Sequence, residues 1–284
     1  MSLSIAFSPC PNDTFVFHAW VHGLLPGVGC VPSPVRYADI DVTNGMALRG
    51  ETDVLKISYG ALPWVLEEYA LLPCGGALGR GCGPLVLTRP EGIAADPAAL
   101  AGRTVAVPAE RSTAYLLLRL WAATAVPDGF GQVWVMPFHE IMPALRAGEV
   151  DAGLVIHEAR FTFPSYGLRQ LVDLGEWWER DTGCPIPLGA IVARRSLDLA
   201  AVTAAVRASV EYAWAHPQAS RDYVLTHAQE MSPAVVDAHI GLYVNEFTRD
   251  LGTHGYAAVR TLLDRAAAVD LVPPIRPGAL ELPD

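Results

Sequence analysis

The chain has 284 residues, 51% of them hydrophobic, with 30 acidic against 20 basic side chains and a formal net charge of −10. That apolar content excludes a disordered chain, and the length exceeds what one compact core usually holds, so two lobes are the natural division. The acidic balance, with no Lys/Arg cluster, argues against a nucleic-acid partner. Five cysteines (Cys10, Cys30, Cys74, Cys82 and Cys184), odd in number and without a CxxC pair, argue against a disulfide framework or a zinc site.

The opening residues, MSLSIAFSPCPNDTF, carry neither the basic nor the long apolar stretch of an export signal. No run reaches the roughly 18 apolar residues of a membrane span, so a cytoplasmic protein is expected. Residues 4–7 read as a buried strand. Ser8-Pro9-Cys10-Pro11 reads as a loop, because two prolines break helix and central strand alike. Asn12 and Asp13 are good caps for a helix over residues 15–22, ended by Gly23 and Pro26. A strand over 35–40, a short helix over 44–49, a strand over 53–58 and a helix over 61–68, interrupted by Pro63, follow. Residues 75–83 hold five glycines, which marks a backbone that turns tightly. Strands are predicted over 84–88 and 103–107, then a helix over 115–123 capped by Ser112 or Thr113. A strand over 133–136, a helix over 141–147 and a strand over 153–156 lead to His157. Such alternation predicts a largely parallel sheet with ligands at the carboxyl ends of its strands. Beyond residue 200 the chain is Ala-rich and reads as helices over 201–215, 221–227, 233–246 and 256–267, without strands. The tail, with Pro273, Pro274, Pro277 and Pro283, is expected to wrap the surface.

One internal echo stands out. The segments ALRGETDVLKIS (residues 47–58) and ALRAGEVDAGLVIH (residues 144–157) each read as helix end, Gly-Glu-x-Asp turn, apolar strand and polar tip. Chance produces similarities this short. The other reading is two similarly built lobes, each presenting one strand tip, Ser58 and His157, to a shared cleft.

Residues able to carry chemistry gather at the strand-to-helix junctions: Ser8, Asn12, Asp13 and Thr14; Ser58-Tyr59-Gly60; and Ser112-Thr113. Helix N-termini expose unpaired N–H groups and partial positive charge, and with nearby hydroxyls they suit a carboxylate or phosphate. Plain helix capping explains such residues equally well. An imidazole at the tip of an apolar strand suits a general base at physiological pH, and makes His157 the candidate for chemistry, although a histidine bonded structurally at a strand end fits the same position. His18 and His22, one helical turn apart, lack a third ligand nearby and read as a helix face; His139 reads as a helix-start residue. His216, His227, His239 and His254 read as surface or packing residues. The glycine-rich stretch is neither a P-loop nor a dinucleotide fingerprint. Its Arg80 either steers an anion or stands solvated. No GxSxG elbow is present, and no partner is in view to activate Cys10 or Cys184.

The segments SPCPNDTF (residues 8–15), KISY (56–59), GGALGRG (75–81) and IHEARFT (156–162) resemble the 1,4-dihydroxy-6-naphthoate synthases of the futalosine route to menaquinone. The resemblance runs from the first strand to about residue 245, and the first and last of these segments are its most specific parts. It implies an α/β, two-lobed fold of the type-2 periplasmic-binding-protein kind with a ligand cleft between the lobes. Lobe one would be residues 1–90 plus 193–284, and lobe two residues 91–192. It also implies a lyase that turns cyclic dehypoxanthine futalosine into 1,4-dihydroxy-6-naphthoate without metal or organic cofactor. The catalytic base would be His157. Contacts to a small carboxylated substrate would come from Lys56, Ile57, Ser58, Ser112 and Thr113, where Ser112 replaces the family's usual threonine and keeps its hydroxyl. Ser8, Asn12, Asp13, Thr14 and Arg80 are further candidates. A related lyase of the same route, chorismate dehydratase, and a non-catalytic carboxylate binder are the alternatives.

Overall fold

A computed structural model of the chain describes residues 3–228 and 232–282. The chain divides into two compact units, Met1–Gly79 with Pro187–Asp284, and Arg80–Ile186. Pro283 lies outside the described residues.

The first unit begins with β1 (Ile5–Phe7), α1 (Pro11–Val21), β2 (Val35–Tyr37), α2 (Ile40–Leu48) and β3 (Val54–Ser58). A 3₁₀ turn (Tyr59–Trp64), β4 (Tyr69–Leu71) and β5 (Ala77–Gly79) follow. The second unit holds β6 (Leu85–Thr88), a 3₁₀ turn (Pro97–Leu100), β7 (Thr104–Val107), α3 (Thr113–Ala125), β8 (Gln132–Val135), α4 (Phe138–Ala147) and β9 (Ala152–Val155). It continues with α5 (Ala159–Thr162), a 3₁₀ turn (Phe163–Tyr166), β10 (Arg169–Asp173) and α6 (Leu174–Thr182). The chain re-enters the first unit along β11 (Ile186–Arg194) and ends in α7 (Leu199–Ala215), α8 (Arg221–His227), α9 (Pro233–Tyr243), α10 (Glu246–Arg249) and α11 (Gly252–Ala267).

The first sheet runs β2-β1-β3-β11-β4, with β5 also on β11, and the second runs β10-β6-β9-β7-β8. Both are mixed rather than largely parallel. β1 is parallel to β2 and β3, and β7 to β8 and β9, whereas β3–β11, β11–β4, β6–β9 and β6–β10 are antiparallel. Pairing also assigns the strands near the crossings. β6 joins the second sheet, although a division at residue 90 would leave it in lobe one, and β11 joins the first from residue 189, ahead of 193.

Two local differences follow from simple chemistry. α1 starts at Pro11, four residues before the predicted start, because proline at the first helical position gives up an N–H that would be unpaired anyway. Cys10 is therefore the N-cap, and Asn12 and Asp13 lie inside the first turn instead of capping it. Residues 61–68 form the end of a 3₁₀ turn and a further turn over 65–68 instead of a helix, since Pro63 removes an interior donor. α1 is buried on every side, from Pro11 to Trp20, against α7, where Ser209 Oγ donates to the Val16 carbonyl at 2.6 Å. Phe7 stacks on Phe17 at 4.8 Å inside this core.

The internal echo is a repeated structural unit. After α2 and after α4 the chain turns through a left-handed glycine, Gly50 and Gly148. An aspartate then ties the next strand to the start of its parallel neighbour. Asp53 Oδ2 accepts from Ser4 N–H at 2.8 Å beside β1, and Asp151 Oδ2 accepts from Thr104 N–H at 3.0 Å at the head of β7. Among the described residues no helix is long and apolar enough to cross a membrane.

Candidate active site

In the first unit, the site candidates lie where parallel β1 and β3 end, so their tips share one edge of the sheet. Strand geometry puts Lys56 and Ser58 on one face of β3 and Ile57 on the other. The three carried-over contacts therefore cannot all be side-chain contacts on one face. All three residues are buried.

Lys56 carries its charge into this interior only because Asp13 meets it. Nζ stands 2.6 Å from Asp13 Oδ1, with side chains 5% and 3% exposed. Its stem crosses Gly189 on β11, where a Cβ would fall 2.5 Å from Lys56 Cε. Asp13 also accepts from Ser8 Oγ at 2.7 Å and from Asn12 Nδ2 at 2.8 Å. With its amide nitrogen so engaged, Asn12 turns its oxygen to His239 Nε2 at 3.0 Å, so that ring nitrogen is the donor. Ser8, Asn12, Asp13, Lys56 and His239 thus form one buried network. Its charges are compensated, as burial requires. Thr14, also buried, is spent on backbone: its hydroxyl donates to the carbonyls of Cys10 at 3.1 Å and Pro11 at 3.3 Å. Ser58 is held by Asn44 of α2. Its N–H donates to Asn44 Oδ1 at 2.8 Å, and Asn44 Nδ2 donates to its Oγ at 3.1 Å.

In the second unit, parallel β7 and β9 likewise bring their following residues to one edge. His157, two residues past β9, is half-buried and adopts φ 52°. A left-handed backbone is uncommon outside glycine and persists where the surroundings enforce it. Two contacts lie on either side of it. The Phe138 ring meets the imidazole edge-on at 5.8 Å, and the His157 carbonyl accepts from the Arg160 N–H at 3.3 Å. Arg160 itself is anchored to Asp173 Oδ2 at 2.5 Å and to the Gly83 carbonyl at 2.8 Å. Asp173 in turn caps α6, accepting from Gly175 and Glu176 N–H. The segment IHEAR is therefore a histidine followed by its own anchor.

Ser112 is the N-cap of α3. Its Oγ accepts from Tyr115 N–H at 3.1 Å and donates to the Ala109 carbonyl at 2.9 Å, so its proton is spent on the cap. Thr113, the first residue of α3, is buried. Arg80 is exposed. It grips its own chain, donating to Glu179 Oε2 at 3.1 Å and to the Gly183 carbonyl at 2.9 Å, so the anion it meets is a side chain of α6.

Burial pushes the Cys74 and Cys82 thiols up to about 12, which keeps them protonated and unreactive. Burial, and secondarily the neighbouring His22, lowers the pKa of His18. Among the described residues no three His, Cys, Asp or Glu side chains gather in a way that could hold a metal ion.

Three contributors escaped the sequence reading. In sequence Asn44 is only part of a short predicted helix, and Arg160 is part of the IHEAR segment with no role that the sequence assigns. His239, read as a surface or packing residue, is fully buried, and what the sequence does not show is its partner Asn12, 227 residues away. The sequence signal that could find Asn44 is its place in the helix that precedes the repeated Gly-Glu-x-Asp turn.

Comparison with known proteins bears on the family and the fold. A 1,4-dihydroxy-6-naphthoate synthase of Streptomyces coelicolor is 67% identical over 285 aligned residues, covering 99% of both chains. Its counterpart in Thermus thermophilus is 48% identical, covering 96% of this chain and 97% of that protein. The crystal structure of an Archaeoglobus fulgidus protein superposes with a TM-score of 0.85 at 31% identity, covering 95% and 98% of the two chains. The periplasmic aliphatic sulphonate binding protein of Escherichia coli superposes at 0.69 with 14% identity, covering 96% and 89%, which shows a periplasmic-binding-protein-like fold and nothing more. A family model described as menaquinone biosynthesis matches residues 3–268. The chain belongs to that menaquinone-biosynthesis family.

Proposed function

We propose that this protein is a 1,4-dihydroxy-6-naphthoate synthase, a cytoplasmic lyase that converts cyclic dehypoxanthine futalosine to 1,4-dihydroxy-6-naphthoate without metal or organic cofactor. The observation that carries the reading is His157: a half-buried imidazole on a left-handed backbone, flanked by Phe138 and followed by the Arg160 anchor. A ring held that way loses little orientational freedom when it meets a substrate proton, which is what a general base needs.

On this reading His157 removes a proton from the bound cyclic substrate. A carbon–carbon bond then breaks in a retro-aldol-like step, a three-carbon fragment leaves, and formation of the aromatic naphthalene ring drives the reaction. A positioned base supplies about 10²–10⁴-fold. Donors pre-set toward the developing enolate supply more. Lys56, Ile57, Ser58, Ser112 and Thr113 are the proposed substrate contacts. Ile57 is a contact through its backbone, since its side chain takes the opposite face of β3 from Lys56 and Ser58. Ser8, Asn12 and Asp13 act behind Lys56 as its support.

The test is to supply the purified protein separately with cyclic dehypoxanthine futalosine and with chorismate, and to follow products by chromatography. The reading requires 1,4-dihydroxy-6-naphthoate from the first and no dehydration of the second. Recovery of the futalosine derivative unchanged would mark a binder, and dehydration of chorismate would mark the sister lyase.

A further inference from the structure

We propose that Asn44 is a positioning residue that fixes the polarity of Ser58, so that the substrate atom meeting this hydroxyl is a carboxylate oxygen that accepts a hydrogen bond. The proposal rests on the reading above, in which Ser58 touches substrate.

The argument is one of donor and acceptor accounting. The Ser58 N–H, at the end of β3, donates to Asn44 Oδ1 at 2.8 Å. A backbone N–H cannot accept, so this bond decides which end of the Asn44 amide faces the strand. The amide nitrogen is then the group that meets Ser58 Oγ, at 3.1 Å, and it can only donate. The hydroxyl therefore accepts from Asn44, and its own proton points away from it. Both residues are buried, at 2% and 3% exposure, so water does not blur this polarity.

Ser112 makes the contrast plain. Its proton is committed to the Ala109 carbonyl at 2.9 Å, which leaves that hydroxyl only lone pairs to offer. Of the two serines proposed to touch substrate, only Ser58 presents a proton. Hydrogen bonds to a charged oxygen are about twice as strong as neutral ones, so a donor held in this way favours a carboxylate over a hydroxyl in the same place.

The experiment is a double-mutant cycle. Asn44→Asp is isosteric and still accepts from the Ser58 N–H. It has no N–H to give, so the Ser58 hydroxyl turns to donate to the new carboxylate and is lost to substrate. Asn44→Ala adds no charge and frees the hydroxyl to rotate. Each is measured alone and in the Ser58→Ala background, by KM and kcat for cyclic dehypoxanthine futalosine and by the Kd of 1,4-dihydroxy-6-naphthoate. With Ser58 present, Asn44→Asp is expected to raise KM and Kd by about tenfold or more and to leave kcat within about twofold, the pattern of lost ground-state binding. Asn44→Ala raises them by a smaller factor. In the Ser58→Ala background both effects shrink below about twofold. Costs of equal size in the two backgrounds overturn the proposal, because simple charge repulsion or structural damage would persist without the hydroxyl. Where Asn44→Asp does not fold, the Asn44→Ala cycle decides alone. A wild-type protein that makes no naphthoate defeats the functional reading instead, and a productive wild type with an additive cycle defeats only the role of Asn44.

Discussion

Asp13→Asn separates a charge-compensated interior from a merely polar one. The carboxylate now accepts three hydrogen bonds, from Lys56 Nζ at 2.6 Å, Ser8 Oγ at 2.7 Å and Asn12 Nδ2 at 2.8 Å. An asparagine of the same shape keeps one oxygen, turns an NH₂ toward groups that also donate, and leaves the Lys56 ammonium, 5% exposed, without a counter-charge. Removing one partner of a buried pair typically costs about 3–5 kcal/mol. Against a total stability of about 5–15 kcal/mol that is a large fraction. Lys56→Met in the same chain removes the stranded charge, and the double variant is expected to cost at least about 2 kcal/mol less than the sum of the singles. Equilibrium urea unfolding of the four proteins measures this. An Asp13→Asn variant within about 1 kcal/mol of wild type, or strict additivity, would refute the idea that this pair sustains the end of β3.

Gly189→Ala tests the same pair from the other side. Its Cβ would fall 2.5 Å from Lys56 Cε, so the lysine stem must shift, and a loss of about 1–3 kcal/mol in urea unfolding is expected; an unchanged midpoint contradicts the packing described. His18 predicts a pH dependence. Burial, and then His22, hold its folded pKa below the unfolded value of 6.5. Above that pH both states are neutral and His18 contributes no slope. As pH falls below about 6.5 the unfolded chain takes up a proton that the folded site resists, so stability falls with pH until the folded pKa is reached. His18→Gln should flatten that part of the stability–pH curve relative to wild type, and an unaltered curve would count against the assignment.

The sequence made the repeated turn-and-strand unit legible because its chemistry is local. A left-handed glycine ends the helix, an aspartate ties two strand starts, and an apolar run ends in a polar tip. That is why Ser58 and His157 could be picked out as strand tips. What stayed hidden depends on partners far along the chain. α1 carries no amphipathic stripe, because it is buried all round, so periodicity marks neither its start nor the inward turn of Asn12 and Asp13, and Pro11, which suits a first helical position, reads equally as part of a loop. β11 contains Pro187 and Gly189, both poor strand residues in isolation, yet Gly189 is the residue over which Lys56 passes. β4, β5 and β10 are only three to five residues long, too short for an alternating pattern to declare itself. His239 sits in an Ala-rich helical region with the ordinary spacing of a packing residue, and only the fold brings it to Asn12. Arg80 went the other way: its glycine-rich surroundings suggested an anion site, and the anion is Glu179 of the same unit.

The most direct measurement is single-turnover kinetics of His157→Ala beside wild type, with naphthoate affinity determined on the same preparations. The account predicts product binding within about threefold of wild type and a chemical step slower by at least about 10²–10⁴. A variant lacking the imidazole that still forms naphthoate within tenfold of the wild-type rate would take the proton acceptor out of the mechanism.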